Sequence, residues 1–309
     1  MIDRFLEYIR SQRRYSPRTV QLYSDALEEL CGYVHNGLQS KDLSDSQIVE
    51  ALQPQLIRGF VANGLENGKS PRTMNLKLSA ISSFCNYLVR SGELDSNPVK
   101  KVYRPKEDRP LPEFYTQASM DGFFDGLQEE NPDGKETFAQ CRTRMMILVL
   151  YTTGMRRAEL CGLKIGDFDR SRKVFRVVGK GDKTREIPVP DRICEEIVLY
   201  LKRLNEEFVE NPQEKFFLTD KGAPLYPAFV NNTVGKALKG VEGFTGRKSP
   251  HVLRHTLATL LLNNGADVDS IKQLLGHSSL AATQVYTHNS FEELKNTYLT
   301  AHPRAKKRR

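Results

Sequence analysis

No C-x-x-C pair occurs in this 309-residue chain, whose five cysteines (Cys31, Cys85, Cys141, Cys161 and Cys194) are scattered and odd in number. That excludes a disulfide framework and a zinc site, and the thiols read as free and buried. No apolar run approaches the roughly 20 residues that a membrane span needs. The N-terminus carries acids at Asp3 and Glu7 and lacks the apolar centre of a signal peptide, so a cytoplasmic protein without a membrane partner is expected. No Walker loop and no metal-ligand spacing stands in the chain, and no cofactor is expected. A strong global charge is also missing. The formal net charge is +8, but five positive charges lie in the last six residues, 304–309, which read as a solvated basic tail. Any surface for a polyanion is therefore a local patch balanced by acids elsewhere.

What is present begins with two similar helix starts. Ser16-Pro17-Arg18-Thr19 and Ser70-Pro71-Arg72-Thr73 each pair an N-capping serine with a proline suited to the first helical turn. Apolar residues then recur in steps of three and four, at Val20, Tyr23, Leu27, Leu30 and Val34, and at Met74, Leu78, Ile81, Cys85 and Leu88. Gly37 and Gly92 are the expected stops, and a shorter helix is expected over 55–62. Residues 1–96 thus read as a small all-helical domain. Arg18 and Arg72, beside free backbone N–H groups, are candidate contacts to a nucleic-acid phosphate. Residues 97–112 are rich in proline and charge (Asn97-Pro98, Arg104-Pro105, Arg109-Pro110-Leu111-Pro112) and read as an extended basic linker.

The second domain, 113–309, reads as mainly α with a small antiparallel β-sheet. A buried helix through Met145–Leu150 ends near Thr153-Gly154, and another starts near Arg156. Lys173–Val178 and Arg185–Val189 read as two strands joined by a turn containing Gly179 and Gly181. A helix runs from Ser249-Pro250 to Gly265 and a short one from Val268 to Leu275, stopped by Gly276. Two more are expected over 279–288 and 291–299.

The second domain also carries chemistry. Breaking a phosphodiester without a metal requires fixed cations at the non-bridging oxygens, a nucleophile, and a proton for the departing oxygen. Arg156 follows a glycine turn, with Glu159 three residues on to hold its guanidinium. Lys180 stands between Gly179 and Gly181 on the hairpin tip. His251 and Arg254 share one face of a helix start, His277 lies just past a helix end, and Tyr286 follows nine residues later. Tyr226 and Tyr298 are rival nucleophiles without the preceding L-G-H context, and Lys183 is a rival for Lys180. His255 and His288 read as structural.

This ordered set (T-G-x-R-x-x-E-L, G-K-G, H-x-L-R-H-T-x-A-T, L-L-G-H, T-x-x-Y-T-H) resembles the tyrosine recombinase family, in particular its Xer-type members. The resemblance covers the second domain almost end to end, and residues 1–96 match the family's helical core-binding domain in size and position. It implies roles. Arg156 and Arg254 clamp the scissile phosphate, while His251 and His277 donate hydrogen bonds to it or assist proton transfer. Lys180 protonates the 5′-hydroxyl leaving group, and Tyr286 attacks to form a 3′-phosphotyrosyl link that needs neither ATP nor metal to reseal. It implies a duplex DNA site as partner, with the two domains closing around it, and four protomers acting together, as copies or paralogues. The amphipathic stretch 291–299 is expected to dock into a neighbouring protomer, and an activating accessory protein is a further possible partner. The implied role is resolution of chromosome or plasmid dimers. The alternatives are an integrase of a mobile element, a type IB topoisomerase-like enzyme that relaxes without exchange, and a non-catalytic DNA-binding protein. No helix-turn-helix signature supports the last.

Overall fold

The computed structural model describes residues 1–38, 44–107, 114–129, 136–179, 184–211, 213–241, 244, 246–276 and 288–302. The chain divides into two compact units, Met1–Pro110 and Leu111–Arg309.

The first unit is helical: α1 (Ile2–Ser11), α2 (Pro17–Leu38), α3 (Asp45–Ala51), α4 (Pro54–Glu66) and α5 (Pro71–Arg90). The two Ser-Pro-Arg-Thr segments build the same cap. Ser16 Oγ accepts the Thr19 N–H at 3.2 Å, and Ser70 Oγ accepts the Thr73 N–H at 3.1 Å. The stripes that follow bury Val20, Leu27, Leu30 and Val34 on α2, and Met74, Leu78, Ile81, Cys85 and Leu88 on α5, where the two helices pack together. Glu29 on α2 forms ion pairs with Lys77 on α5 and with Lys69 in the α4–α5 connection. Helix α4 is longer than the sequence suggests, and α3 has no counterpart in the sequence reading. The latter is only seven residues long and is fixed by a capping box between Ser44 and Gln47.

Beyond α5 the chain does not simply extend. Pro98–Lys101 forms a 3₁₀ turn, and Val99 and Val102 enter the core of the first unit. Asn97, only 6% exposed, holds this turn down. Its side-chain NH₂ donates to Ser82 O at 3.1 Å and to Asn86 Oδ1 at 2.9 Å, while its Oδ1 accepts the buried Val99 N–H at 3.0 Å.

The second unit comprises α6 (Gln117–Glu129), α7 (Phe138–Thr153), α8 (Arg157–Gly162), strands β1 (Phe168–Asp169), β2 (Val174–Val178) and β3 (Thr184–Pro188), then α9 (Asp191–Glu207), α10 (Pro227–Ala237), α11 (Pro250–Asn263), α12 (Val268–Leu275) and α13 (His288–Ala301). Its spine is α7. Met145 to Tyr151 are all fully buried, as a helix apolar on every side must be, and α9, α10 and α11 pack around it. The sheet is antiparallel in the order β1-β2-β3; β1 is a third, two-residue strand beside the two expected. Phe175 pairs with Ile187 and Val177 with Arg185, so Arg185 shares the inward face with Ile187.

The last turns of α13 lie on their own unit. Tyr298 is buried and its Oη donates to Thr152 O at 2.7 Å, while the Asn264 side chain donates to Ala301 O at 2.7 Å. The helix expected over 279–288 and the basic tail lie outside the described residues. All five cysteines are free: Cys85, Cys141 and Cys194 are buried, and Cys31 and Cys161 are half-buried, so burial is less complete than the sequence reading has it. Among the described residues, no helix is long and apolar enough to cross a membrane.

Replacing Asn97 by Ala strands the buried Val99 N–H and is expected to destabilise the first unit by about 1–3 kcal/mol. Urea unfolding of the two proteins checks this; an unchanged midpoint would rule out the proposed role of Asn97.

Candidate active site

The site is built where α7 stops. Gly154 caps that helix in the left-handed region (φ 58°), which favours glycine, and it is also a point of close approach. A Cβ there would stand 2.6 Å from Leu275 Cδ2 and 2.9 Å from Leu257 Cδ2. The chain then extends through Met155 and turns into α8. Arg156 is the residue before α8 and not part of its helical face, and Glu159 reaches back to it. The Glu159 carboxylate accepts the Arg156 backbone N–H at 2.6 Å and the Arg156 guanidinium at 3.0 Å.

Two more arginines meet this pair. Arg254, from the first turns of α11, is 7% exposed and donates to Gly154 O and Leu275 O, both at 2.6 Å. Arg185, from β3, closes a fork on Glu159 at 2.9 and 2.8 Å and donates through Nε to Leu274 O at 3.0 Å. Arg156 completes the set by donating to Gly276 O at 2.7 Å. Three guanidinium groups thus take the three consecutive carbonyls of Leu274, Leu275 and Gly276. These belong to the C-terminal end of α12, where unpaired carbonyls and the helix dipole favour cations. Gly276 itself is left-handed (φ 63°), and a Cβ there would press on the Arg185 side chain at 3.1 Å.

Electrostatics follow from the crowding. Burial, and then the neighbouring Arg156 and Arg185, push Arg254 down to about 10, with Glu159 working in the opposite sense. Burial pushes the Glu159 carboxyl up, but hydrogen bonds from Arg185 and from the Arg156 N–H outweigh it and hold the group below the ordinary carboxylate range. His251 begins α11. Although His251 is exposed, partial desolvation and then the charges of Arg157, His255, Arg254 and Arg156 lower its pKa below the ordinary imidazole value. Among the described residues, three positive charges meet one carboxylate here, an excess that favours an anion. Arg156, with a third of its side chain exposed, is the arginine that opens to solvent.

Of the residues singled out in the sequence, Arg156, Glu159 and Arg254 are brought together, and His251 lies within their field. Lys180, Lys183, His277 and Tyr286 lie outside the described residues; the described stretch 246–276 ends one residue before His277. Of the rival tyrosines, Tyr298 is buried, with its hydroxyl committed to Thr152 and its pKa pushed far up by burial, while Tyr226 is exposed. Arg18 and Arg72 sit exposed in the first turns of α2 and α5, in the other unit. That unit also carries a polar cleft of about 300 Å³ whose lining includes Arg13, Arg90 and Arg104 with Tyr8 and Tyr23.

Arg185 was absent from the candidates. The signal was there: strand alternation puts it on the same face as Ile187, and a charged residue on a core-facing strand position needs a buried partner.

Residues 130–293 match the Phage integrase family, and residues 2–92 match Phage integrase, N-terminal SAM-like domain. The chain is 34% identical over 316 residues to the tyrosine recombinase XerC of Bacillus pumilus, covering 100% of this chain and 98% of that protein. It is 36% identical over 307 residues to XerC of Bacillus licheniformis, covering 98% and 96%. Among solved structures it is similar in fold to the XerH site-specific recombinase bound to palindromic difH substrate in a post-cleavage complex. The TM-score is 0.70 and the identity 21%, over 96% of this chain and 83% of that one.

Replacing Glu159 by Gln removes the one carboxylate that all but Arg254 grip, and is expected to destabilise the second unit by on the order of 3 kcal/mol at neutral pH. The folded carboxyl titrates below the unfolded one. Its stabilisation is therefore complete above the ordinary value near ~4.3 and is lost as pH falls through the folded value. Urea midpoints of wild type and E159Q should converge on acidification; a gap that stays constant down to the acid limit would contradict the assignment.

Proposed function

The chain belongs to the phage integrase family of tyrosine recombinases, and on that footing we propose that it cuts and rejoins duplex DNA at a specific site, in the role of resolving chromosome or plasmid dimers. The observation that carries this reading is the convergence of Arg156 and Arg254, with His251 within their field, on the end of the helix that leads into His277 and Tyr286.

The chemistry runs as an exchange of one phosphoester for another. The Tyr286 oxygen attacks the scissile phosphorus, forming a 3′-phosphotyrosyl bond as the bond to O5′ breaks. The tyrosine proton passes to a base, and O5′ leaves with a proton supplied by Lys180. Charge on the non-bridging oxygens falls to Arg156 and Arg254, held in place before the phosphate arrives, which is where preorganised donors lower a barrier most. His251 is suited to either end of a proton transfer. The neighbouring arginines lower its affinity for a proton, and an anion seated between them raises it. A 5′-hydroxyl from another strand then attacks the phosphotyrosine, returning a proton to Lys180, and the released Tyr286 oxygen takes back the proton held by the base. Nothing is hydrolysed, so no external energy is consumed.

Exchange between two duplexes needs several protomers on DNA, and we assign the partners as a duplex recombination site and further recombinase chains, with residues 1–96 gripping DNA beside the catalytic domain. Helix α13 is the element proposed to dock into a neighbour. In that arrangement the buried hydrogen bond from Tyr298 to Thr152 must be given up or remade.

The test is a nicked duplex carrying the recombination site, incubated without metal or ATP and run on a denaturing gel. Wild type is expected to give a covalent protein–DNA band and Tyr286→Phe none. A band that persists in Y286F removes Tyr286 from the nucleophile's place. Tight binding with no band in either protein places the missing step in a partner protomer or activator, and counts against a self-sufficient enzyme.

A further inference from the structure

The Arg185 side chain makes more hydrogen bonds within the site than that of either arginine assigned to the phosphate, yet the proposed chemistry gives it no task. Its three guanidinium nitrogens are all engaged by protein: two on the Glu159 carboxylate and one on Leu274 O. Its side chain is 11% exposed, against 33% for Arg156. With its nitrogens directed at these partners, it is poorly placed to grip a ligand as well. What it grips, however, decides where Arg156 points. The Glu159 oxygen that receives one arm of Arg185 is the same Oε1 that receives Arg156. The other oxygen receives the second arm of Arg185 and the Arg156 backbone N–H. The carboxylate plane is thus set by Arg185 and handed on to Arg156.

A second arm of the same residue reaches the end of α12. Arg185 Nε holds Leu274 O, and its aliphatic stem and guanidinium occupy the space beside Gly276 where a Cβ would stand 3.1 Å away. Arg156 holds Gly276 O two residues on. The strand, the turn before α8 and the end of α12 therefore meet on one fork-shaped side chain.

Resting on the recombinase reading, we propose that Arg185 is a positioning residue for phosphate cleavage: it orients the Glu159 carboxylate and the terminal turn of α12, and through them the Arg156 guanidinium. A bidentate fork is required for this, because lysine brings the same charge as a single point and cannot define a plane.

The experiment measures the single-turnover rate of covalent adduct formation at saturating nicked duplex, together with DNA affinity, for Arg185→Lys, Arg185→Ala, Glu159→Gln and the double variant E159Q/R185K. Far-UV circular dichroism and thermal melting identify any variant that fails to fold; R185K, which retains charge and most of the volume, keeps the test open if R185A does not. The expected result is a loss of at least about tenfold in adduct rate for R185K, equivalent to about 1.4 kcal/mol of transition-state stabilisation. Affinity should stay within about twofold, and the double variant should be no slower than the slower single one, as for residues acting in series. A residue that only supports the fold would lower the melting temperature and affinity without that split. Three outcomes overturn the inference: R185K cleaving at the wild-type rate, losses that multiply in the double variant as for an independent phosphate contact, or a loss confined to affinity. Wild type forming no adduct overturns the recombinase reading and this inference with it, whereas a normal wild-type adduct with an undiminished R185K adduct overturns this inference alone.

Discussion

Guanidinium groups repel one another and are costly to strip of water, so three of them do not gather in a protein interior unless something negative meets them. Here two sources do: the Glu159 carboxylate and the bare carbonyls that end α12. The rest of the second unit is arranged around this balance. Helix α7 must stop at Gly154 so that its last carbonyl faces Arg254. The β-hairpin must turn Arg185 inward, and α12 must end at a left-handed glycine so that its final carbonyls fan out toward three donors. Among the described residues one carboxylate offsets only part of the charge, so these residues remain electropositive after the bonds between them are made.

The end of α7 is shared between two tenants. Gly154 O accepts from Arg254, and two residues earlier Thr152 O accepts from Tyr298 of the terminal helix. Both acceptors sit at the close of a helix that is buried along almost its whole length, in a stretch with little room to adjust. A displacement of the terminal helix is therefore felt within one turn of the arginine that lies deepest in the site.

Elements with strong local signals could be read from the chain alone. The repeated Ser-Pro-Arg-Thr caps, the glycine stops at Gly154 and Gly276 and the hairpin all announce themselves within a few residues, and the structure places them within a residue or two. Helix α3 escaped because seven residues carry too little periodicity to stand out from a loop. The fold of Pro98–Lys101 back onto the first core escaped because prolines speak only of the local backbone, while the attraction comes from the distant Ser82 and Asn86. In the site, Arg156, Glu159 and Arg254 were legible from spacing. Arg185 was not, because its partners lie 26 and 89 positions away, and only its place on the inward face of a strand hinted at them.

The arginines of this site hold α12 by its main chain, not by its side chains. Every residue type offers the same carbonyl, so the attachment is indifferent to what α12 spells. Its requirements are geometric: a helix that ends at this point, with no Cβ at the final position. Away from Leu274 and Leu275, which the core buries, the segment that delivers the chain to His277 can therefore change its composition without loosening this mooring. The exception is Gly276, where a single added carbon would press directly on Arg185.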